Sequence, residues 1–436
     1  MRLTIIRRLL IIRLVVSLVL DYLKVCRIDK RLEGEEQTAA LNRIYSNAGK
    51  RVRWTAFKLK SIIVKIGQFL SMRGDILPPA FTKELTDLHD ALPASPISAV
   101  KPLLEKELNG SIYSVFKEFN EEPIAAASLA QVHKATLPDG TVVAVKVIKP
   151  KMERFAQIDL NTIGLAAKVI NRIPALRRKM NFVDMHREFT ETIHRELDCR
   201  QELSHMERFA EMFSDNSNVK IPNVYKEICT KKILVMEYME GARLTDHETL
   251  TEWKVDRSAV SETLLDAYFK QLLVHGFIHV DPHPGNLLIL RDHRLCFLDF
   301  GMIDELTTDE VKTIRRLFQS IMFGDIDGIL SAFEELGFLP PQSNYKELKP
   351  MISQVLNRLD GGDGQQGTPE LKQFVAGMKY FIKNSPIQLQ AKYMFLLRGT
   401  GMLITVLKQL APGTNWMEVL LRVGPPIFNT PEKSNK

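Results

Sequence analysis

The sequence predicts a two-lobed α+β fold behind a helical N-terminal region, and three observations carry this prediction. Two short apolar runs, Leu287–Leu290 and Leu295–Leu298, flank four polar residues, which is the pattern of a β-hairpin. A run of β-branched residues around Lys146 predicts a strand much earlier in the chain. Between them, the polar stretch Met185–Met212 predicts one long helix. We therefore expect a small lobe up to about Gly241 and a large, mostly helical lobe after it.

The N-terminal segment, residues 1–22, is rich in Leu, Ile and Val but is interrupted by Arg2, Arg7, Arg8 and Arg13. Its longest uncharged stretch is shorter than the about 20 apolar residues that a membrane-spanning helix needs. A basic helix with one apolar side is typical of a segment that lies on an anionic membrane surface. Packing on the protein core is one alternative, and an Arg-rich presequence of the mitochondrial type is another.

The predicted small lobe carries a lysine inside an apolar strand. The run Gly140–Ile148 is mostly β-branched and contains Lys146. Because burying an unpaired ammonium is costly, this lysine predicts either a functional partner or a position on the solvent face of an edge strand. A stretch of small residues, Ala125–Ser128, precedes the strand. Further along, Ile233–Gly241 predicts a strand that leads into a linker.

The loop before the hairpin brings three polar side chains into a regular spacing. Asp281 lies five residues before Asn286 on a Pro/Gly-rich loop, and Asp299 follows the second strand. If Leu290 faces Leu295, an antiparallel ladder places Asn286 opposite Asp299. An amide oxygen and a carboxylate suit Mg²⁺ bridging nucleotide phosphates, and the carboxylate at 281 could accept a proton from a hydroxyl or water, or orient it. A polar turn between two core strands is the alternative, since these are ordinary turn residues.

This spacing, H-x-D-x-x-x-x-N followed by D-F-G, resembles the catalytic set of protein kinases. More narrowly, the chain is similar to the UbiB/ADCK-type atypical kinases, a protein-kinase-like family tied to ubiquinone and isoprenoid-lipid metabolism. The matching motifs are Lys65-Ile-Gly-Gln68, Ala125-Ala-Ala-Ser128, Val143-Ala-Val-Lys146, Glu196-Leu-Asp198, Asp281 with Asn286, and Asp299-Phe-Gly301. The resemblance implies a bilobal protein-kinase-like fold with an N-terminal helical extension that carries the KxGQ motif.

The resemblance also implies a site for ATP and Mg²⁺. The nucleotide-binding residues that it implies are Ala125, Ala126, Ala127, Ser128, Lys146, Glu237 and Met239. It assigns Mg²⁺ to Asn286 and Asp299, and positioning of the nucleophile to Asp281. The alanine loop stands where a glycine-rich loop is usual, and we expect it to be stiffer because alanine restricts the backbone more than glycine does.

The KxGQ segment is expected, by resemblance, to fold back over the active site where a peptide substrate would otherwise dock. Lys65 and Gln68 share a helix face because they are three residues apart. Gly67 inside a helix costs about 1 kcal/mol relative to alanine, which indicates tight packing there.

The long helix predicted over Met185–Met212 carries three acidic residues, Glu196, Asp198 and Glu202, to which the resemblance gives structural or regulatory roles. Glu196 and Glu202 are six residues apart, roughly 240° around a helix, and should meet different partners. We pair Glu202 with Lys146 and Glu196 with Lys65. The reverse assignment stays open, and a solvated acidic face is the alternative for each residue.

Two absences separate the chain from protein kinases. The stretch His279–Asp281 lacks the arginine of the kinase H-R-D motif, and no A-P-E motif follows Gly301. Both argue for nucleotide binding and phosphate chemistry and against phosphorylation of protein substrates. The later stretch Tyr393–Leu410 is apolar but is broken by Arg398 and Lys408, so it predicts a buried helix.

The composition and net charge of the chain limit the classes of binding partner that we expect. With 436 residues and 45% hydrophobic content, the chain can bury a core in two or three units. A net charge of +7 suits nucleic acid, anionic lipid or lysines that face ATP. No zinc knuckle or RNP-like run is present, so nucleic acid is not an expected partner. The four cysteines show neither metal nor disulfide spacing and fit a reducing compartment.

The predicted organisation has four parts. They are a membrane-associated segment at residues 1–50, the KxGQ helical extension at 51–95, the small lobe at 96–241 and the large lobe at 242–436.

The predicted function is that of an ATP-binding atypical kinase or ATPase of the UbiB type, acting at a membrane surface in isoprenoid-quinone biosynthesis or lipid homeostasis. One alternative is a small-molecule phosphotransferase of the aminoglycoside or choline kinase type, against which the KxGQ segment and the alanine loop argue. Another is a non-catalytic, nucleotide-gated lipid-binding scaffold, which would use the same residues. The expected partners are ATP, an anionic membrane surface and an isoprenoid or quinone-type lipid. We expect a peripheral location on the cytoplasmic side of a membrane, the bacterial inner membrane first, with mitochondrial or plastid membranes as alternatives.

Overall fold

A computed structural model of the chain describes residues 2–60, 62–72, 77–89, 93–173, 176, 181–339, 348–350, 352–353, 356, 391–412, 414 and 419. The chain divides into two units: unit 1 comprises Met1–Ser204 and Asn223–Tyr238, and unit 2 comprises His205–Pro222 and Met239–Lys436. Helices and small sheets occur in both, and helices form the N-terminal region, which confirms the predicted α+β class. The four-part organisation stays a prediction.

Unit 1 begins with helices and continues into a sheet. Its helices are α1 (Arg2–Ile28), α2 (Gly34–Leu59), α3 (Ile62–Met72), α4 (Pro79–Thr82), α5 (Ile97–Glu107), α6 (Met152–Ile170), α7 (Phe182–Glu196) and, up to Ser204, α8 (Cys199–Met212). Its strands, numbered along the whole chain, are β1 (Glu118–Phe119), β2 (Ala125–Ala126), β3 (Ala130–Thr136), β4 (Val142–Ile148) and β6 (Ile233–Glu237). Short 3-10 turns lie at Lys83–His89, Ile112–Ser114 and Lys226–Ile228.

The sheet of unit 1 is antiparallel, with the order β1-β3-β4-β6 and with β2 paired to β3. One face of β4 presents Val143, Val145 and Val147, which are fully buried in a core shared with α5. Because strand residues alternate between faces, Lys146 projects from the opposite face of this central strand. The edge-strand alternative for the lysine is therefore wrong, since β4 pairs on both sides.

The N-terminal helix packs on the rest of unit 1. Helix α1 lies against α2 and α6, and the buried Arg7 side chain pairs with the buried carboxylate of Asp159 on α6. Arg7 Nε donates to Asp159 Oδ1 at 2.9 Å, and Arg7 Nη1 donates to the Leu59 carbonyl at 2.8 Å. A forked guanidinium satisfies both a carboxylate and a carbonyl in such a position. One face of α1 is thus part of the core.

The predicted helix over Met185–Met212 is wrong as a single element. Helix α7 ends at Glu196 and α8 begins at Cys199. The Asp198 carboxylate accepts a hydrogen bond from the Arg200 backbone N–H at 3.1 Å. An aspartate that bonds to the backbone two residues on offers that N–H a partner other than the preceding helical turn, and so begins a new helix.

Unit 2 contains two small sheets and a set of helices. Its strands are β5 (Val219–Lys220), β7 (Gly241–Arg243), β8 (Phe277–His279), β9 (Leu287–Leu290), β10 (Leu295–Phe297) and β11 (Ile303–Glu305). Its helices after α8 are α9 (His247–Glu252), α10 (Arg257–Lys270), α11 (Thr308–Met322), α12 (Ile326–Glu335) and α13 (Ala391–Leu410), with a π-helical turn at Gln271–His275 and a 3-10 turn at Pro284–Asn286. One sheet has the order β5-β10-β9-β7, and β8 pairs with β11.

Aromatic side chains fill the centre of unit 2. The fully buried members are Phe209, Phe277, Phe297 and Phe300. The rings of Phe209 and Phe300 meet edge-on with 5.0 Å between centroids, a favourable arrangement for aromatic pairs. Phe300 is the phenylalanine of the D-F-G motif, so its burial fixes the backbone beside Asp299.

The C-terminal helix α13 is a core element. Leu403, Val406, Leu407 and Leu410 are buried, which confirms the buried helix predicted for Tyr393–Leu410. None of the helices in the described ranges is both long and apolar enough to cross a membrane.

Candidate functional site

Lys146 and Glu202 form an ion pair inside unit 1. Lys146 Nζ lies 2.7 Å from Glu202 Oε1, and the two side chains are 16% and 8% exposed. Their mutual attraction offsets the desolvation of each charge. This is the pairing preferred from the sequence, and it explains how an apolar strand holds a lysine. The role of Lys146 toward a nucleotide stays a prediction.

The KxGQ segment forms α3 and makes the second expected ion pair. Lys65 Nζ lies 2.8 Å from Glu196 Oε2 on α7. Gln68 Nε2 donates to the Leu88 carbonyl at 2.7 Å. A Cβ added to Gly67 would lie 2.2 Å from Leu88 Cδ1, so the expected tight packing at this glycine is confirmed.

Asp198 does not join either lysine pair in the described contacts. Both of its carboxylate oxygens accept hydrogen bonds from the Arg200 guanidinium, at 2.9 and 2.6 Å. These bonds hold the pKa of Asp198 below its ordinary value. Asp198 begins α8, the helix that carries Glu202. It therefore helps to position the partner of Lys146 by fixing the start of that helix.

The alanine stretch is a tight hairpin. Ala125 and Ala126 pair with β3, and the Ala127 N–H donates to the Ala130 carbonyl at 2.9 Å. The helix-forming tendency of alanine is overridden here by strand pairing.

Lys149, which was not among the predicted site residues, stabilises this hairpin through hydrogen bonds. It is 3% exposed, and its Nζ donates to the carbonyls of Ala127 at 2.6 Å and Pro93 at 3.1 Å. Burial, together with the charge of Lys60, lowers the pKa of Lys149 to about 8. The signal in the sequence was a second lysine at the end of the same apolar strand.

Two of the predicted nucleotide-binding residues, Glu237 and Met239, lie at the end of β6 and just beyond it. The Glu237 N–H donates to the Asn223 carbonyl at 2.8 Å, and Glu237 Oε2 accepts from the Asn223 N–H at 3.1 Å. Met239 belongs to unit 2 and packs against Leu288, Leu290 and Cys296. The Glu237 N–H is therefore already bonded within unit 1.

The predicted hairpin is present in unit 2, but its register is shifted by one residue. Leu295 pairs with Ile289, and the Leu298 N–H donates to the Asn286 carbonyl at 3.0 Å. The expected facing of Leu290 with Leu295 and of Asn286 with Asp299 is wrong.

The cause of the shift is the turn. Leu290 and Arg294 bond to each other, which leaves a three-residue loop, and His293 has a left-handed φ of 67°. A turn followed by one left-handed residue is a common three-residue hairpin loop. The sequence pattern suggested four loop residues because Arg294 is polar.

His279 connects the loop of Asp281 to the D-F-G segment. Its backbone N–H donates to Gln271 Oε1 at 2.9 Å, and its ring Nε2 contacts the Asp299 carbonyl. Since a carbonyl only accepts, Nε2 carries the proton in this contact. Asn286 Nδ2 donates to the Asp281 carbonyl at 3.2 Å, and Asp299 Oδ1 accepts from the Gly301 N–H at 2.8 Å. All three predicted residues therefore lie in unit 2, with Asn286 bonded to the Asp281 backbone and Asp299 bonded to Gly301 and His279.

The donor set fits Mg²⁺. With the amide nitrogen of Asn286 bonded to Asp281, the amide oxygen lies on the other side of that group. Asp299 supplies a carboxylate, one oxygen of which accepts from the Gly301 N–H. Mg²⁺ prefers such hard oxygens, takes one or two carboxylates and completes its shell with phosphate oxygens and water.

Asp281 faces Arg398, one of the two charged residues that interrupt the apolar run Tyr393–Leu410. Arg398 Nη2 on α13 lies 3.7 Å from Asp281 Oδ1. Burial lowers the pKa of Arg398, and the charge of Asp281 opposes that shift. The signal was present in the sequence, because a single charge on the buried side of an apolar helix needs a partner.

Comparison with known families gives a match to the ABC1 atypical kinase-like domain over residues 87–333, more than half of the chain. The chain is 32% identical to the chloroplastic protein ACTIVITY OF BC1 COMPLEX KINASE 8 of Arabidopsis thaliana over 315 residues, which are 71% of this chain and 41% of that protein. It is 34% identical to AarF domain-containing protein kinase 1 of Xenopus laevis over 283 residues, 64% of this chain and 54% of that one. The chain thus spans about half the length of these relatives.

Among solved structures, the fold is similar to that of a Mycobacterium tuberculosis protein determined as a complex with erythromycin. The TM-score is 0.58 at 24% sequence identity, and the alignment covers 86% of this chain and 93% of that one. At this identity the likeness shows the fold alone.

Proposed function

Because the chain belongs to the ABC1 atypical kinase-like family, we propose that it is an ATP- and Mg²⁺-dependent atypical kinase or ATPase. The observation that carries the proposal is the ion pair between Lys146 and Glu202. Protein kinases use a strand lysine paired with a helix glutamate to hold the α- and β-phosphates. The fold and the family support this assignment.

In this proposal, Asn286 and Asp299 hold Mg²⁺, which would neutralise charge on the phosphates when bound. Asp281 orients the attacking hydroxyl or water. The contact of His279 with the Asp299 carbonyl links the loop of Asp281 to the D-F-G segment.

The metal assignment is tested by Asp299→Asn. We expect this change to abolish the thermal stabilisation that Mg-ATP gives to the wild-type protein, because the bridging carboxylate is lost. Asp292→Asn is the matched control, since Asp292 lies in the turn of the same hairpin and is solvent-exposed. An undiminished Mg-ATP shift in Asp299→Asn would reject the site.

We also propose that α1 rests on an anionic membrane surface. Among the apolar side chains of α1 that are between 44% and 60% exposed, six recur at helical spacing: Ile5, Leu9, Ile12, Val16, Leu20 and Leu23. At about 100° per residue, they share one face, and the buried Arg7, Ile11 and Val25 lie on the opposite face.

Basic residues border this apolar stripe. Arg8 and Arg13 are exposed and fall on either side of it at helical spacing. Apolar residues flanked by arginines suit the boundary between lipid headgroups and acyl chains. The core-packing alternative and the membrane hypothesis therefore concern opposite faces of one helix.

The lipid class follows from the resemblance to UbiB-type kinases, and we propose an isoprenoid or quinone-type lipid as the partner in quinone biosynthesis or lipid homeostasis. The proposed location is peripheral, on the cytoplasmic side of a bacterial inner membrane, or on a plastid or mitochondrial membrane; the chloroplastic relative supports the plastid alternative. ATP turnover measured with anionic liposomes and a panel of polyprenyl-phenols tests this. Nucleotide binding without turnover under every condition would favour the scaffold.

A further inference from the structure

We propose that Arg398 is a positioning residue for the proposed reaction: helix α13 supplies, from outside the catalytic loop, the cation that fixes the Asp281 carboxylate. The loop itself has Val280 where the H-R-D motif of protein kinases has arginine. This inference rests on the proposed function, because it gives Arg398 a task only if Asp281 orients a nucleophile.

The first support is the contact itself. Arg398 Nη2 lies 3.7 Å from Asp281 Oδ1, with the side chains 20% and 26% exposed. Among the described residues, Asp281 Oδ1 and Arg398 Nη1 are both buried without hydrogen-bond partners. The Asp281 carboxylate and the Arg398 guanidinium carry opposite charges and are suitable partners for each other. Hydrogen bonds of catalytic groups are often long before substrate binds and shorten afterwards.

The second support is a close backbone approach at the neighbouring residue. A Cβ added to Gly399 would lie 3.0 Å from the Val280 carbonyl oxygen and 3.2 Å from Val280 Cα. Only a glycine lets α13 pack this closely on the loop. At the next glycine of the helix, Gly401, no described residue places an atom within 4 Å of such a Cβ. The helix is therefore seated on the residue that precedes Asp281.

The third support is that α13 is fixed firmly enough to position a side chain. Tyr393 is buried, and its hydroxyl donates to Glu310 Oε1 on α11 at 2.6 Å. Its ring meets Phe338 edge-on with 4.8 Å between centroids. Glu310 in turn belongs to the capping box that begins α11. Arg398 thus projects from a helix anchored one and a half turns earlier.

Arginine suits this position better than lysine. Its planar guanidinium can bond a carboxylate through two nitrogens, whereas a lysine ammonium acts as a point charge. Arg398→Lys should therefore keep part of the effect, and Arg398→Met should lose it while retaining an apolar stem.

The test compares kcat, KM and Mg-ATP affinity of the full-length chain and its variants. We expect Arg398→Met to lower kcat for ATP turnover by about 10- to 100-fold, the cost of a misplaced catalytic group, with the Kd for Mg-ATP within about twofold of wild type. Arg398→Lys should recover part of the loss. Gly399→Ala should lower kcat in the same way, and Gly401→Ala should not.

A double-mutant cycle establishes whether Arg398 acts through Asp281. In the Asp281→Asn background, Arg398→Met should have little further effect on turnover. Thermal unfolding of the same four proteins should also give non-additive shifts in Tm, because the two residues share one contact. Additive effects in both measurements, or wild-type kcat in Arg398→Met, would overturn the inference and leave the proposed function standing. Absence of ATP turnover in the wild-type chain would reject the proposed function, and the positioning role with it.

Discussion

At the scale of single residues, the candidate site contains charged side chains that are partly or fully buried and that contact a residue of opposite charge, as Lys146 contacts Glu202 and Asp281 contacts Arg398. Asp281 is the residue whose proposed role is purely chemical, since its contacts with Asn286 run through its backbone carbonyl. Asp281→Asn should leave Mg-ATP binding largely intact and reduce turnover by about 10²- to 10⁴-fold, the usual contribution of a positioned acid or base. Thermal-shift titration measures the binding and phosphate release measures the turnover. Turnover near the wild-type rate would show that Asp281 is structural.

The lowered pKa of Lys149 makes the folding stability of the chain depend on pH, and it fixes the direction of that dependence. Its pKa is about 8 in the folded chain and 10.5 ordinarily. Between these values the unfolded chain binds a proton that the folded chain does not, so this residue makes stability rise with pH. The Tm of the wild type minus that of Lys149→Met should therefore increase between pH 8 and pH 10.

The exposed Lys168 on α6 provides the control for this experiment, and Lys168→Met should show no such slope. A flat difference for Lys149→Met as well would mean that Lys149 is solvated in solution rather than bonded to the carbonyls of Ala127 and Pro93.

At the scale of elements, the sequence predicted which segments are strands and helices better than it predicted their joints. The strand around Lys146 and the hairpin at residues 287–298 were predicted because apolar runs are dictated by burial. The hairpin register was missed because one left-handed residue, His293, shortens the loop. The break at Asp198 was missed because a side chain there competes with the helical backbone.

The same division holds for the candidate site. The Lys146–Glu202 and Lys65–Glu196 pairs followed from spacing and resemblance. Arg398 and Lys149 did not, because neither residue belongs to a motif of the resemblance: Arg398 contacts Asp281, and Lys149 contacts the carbonyls of Pro93 and Ala127. Contacts of this kind depend on tertiary packing, which no local pattern specifies.

The exposed stripe of α1 makes a prediction that leaves the core face of the helix intact. The combined change Leu9→Gln, Val16→Gln and Leu20→Gln removes apolar area from the exposed face only. We expect binding to liposomes that contain anionic lipid to weaken by about tenfold or more, since each side chain contributes on the order of 1 kcal/mol at an interface. Co-sedimentation measures this.

Phe323→Gln is the control, because Phe323 is a highly exposed apolar residue of unit 2. Its binding to the liposomes should equal that of the wild type. Equal binding of the triple variant would show that α1 contributes nothing to membrane attachment.

At the scale of the whole molecule, the prediction concerns regulation of turnover by the KxGQ segment. Lys65→Ala breaks the pair with Glu196 that joins α3 to α7. If this segment restrains the enzyme, basal ATP turnover without lipid should rise several-fold. Lys50→Ala is the control, because the Lys50–Glu84 pair is long and its lysine is exposed, and such pairs contribute little. Unchanged turnover in Lys65→Ala would assign the pair a purely structural role.

The buried ion pair between Arg7 and Asp159 determines how strongly attachment of α1 to a bilayer would restrict the orientation of unit 1. A flexible tether leaves a protein free to tumble, and its reach is set by linker length. Helix α1 is instead fastened to α6 by a buried charge pair across 152 residues of sequence, so a bilayer beneath α1 would hold unit 1 at one tilt. A substrate that diffuses within the plane of the membrane would then always approach unit 1 from the same side.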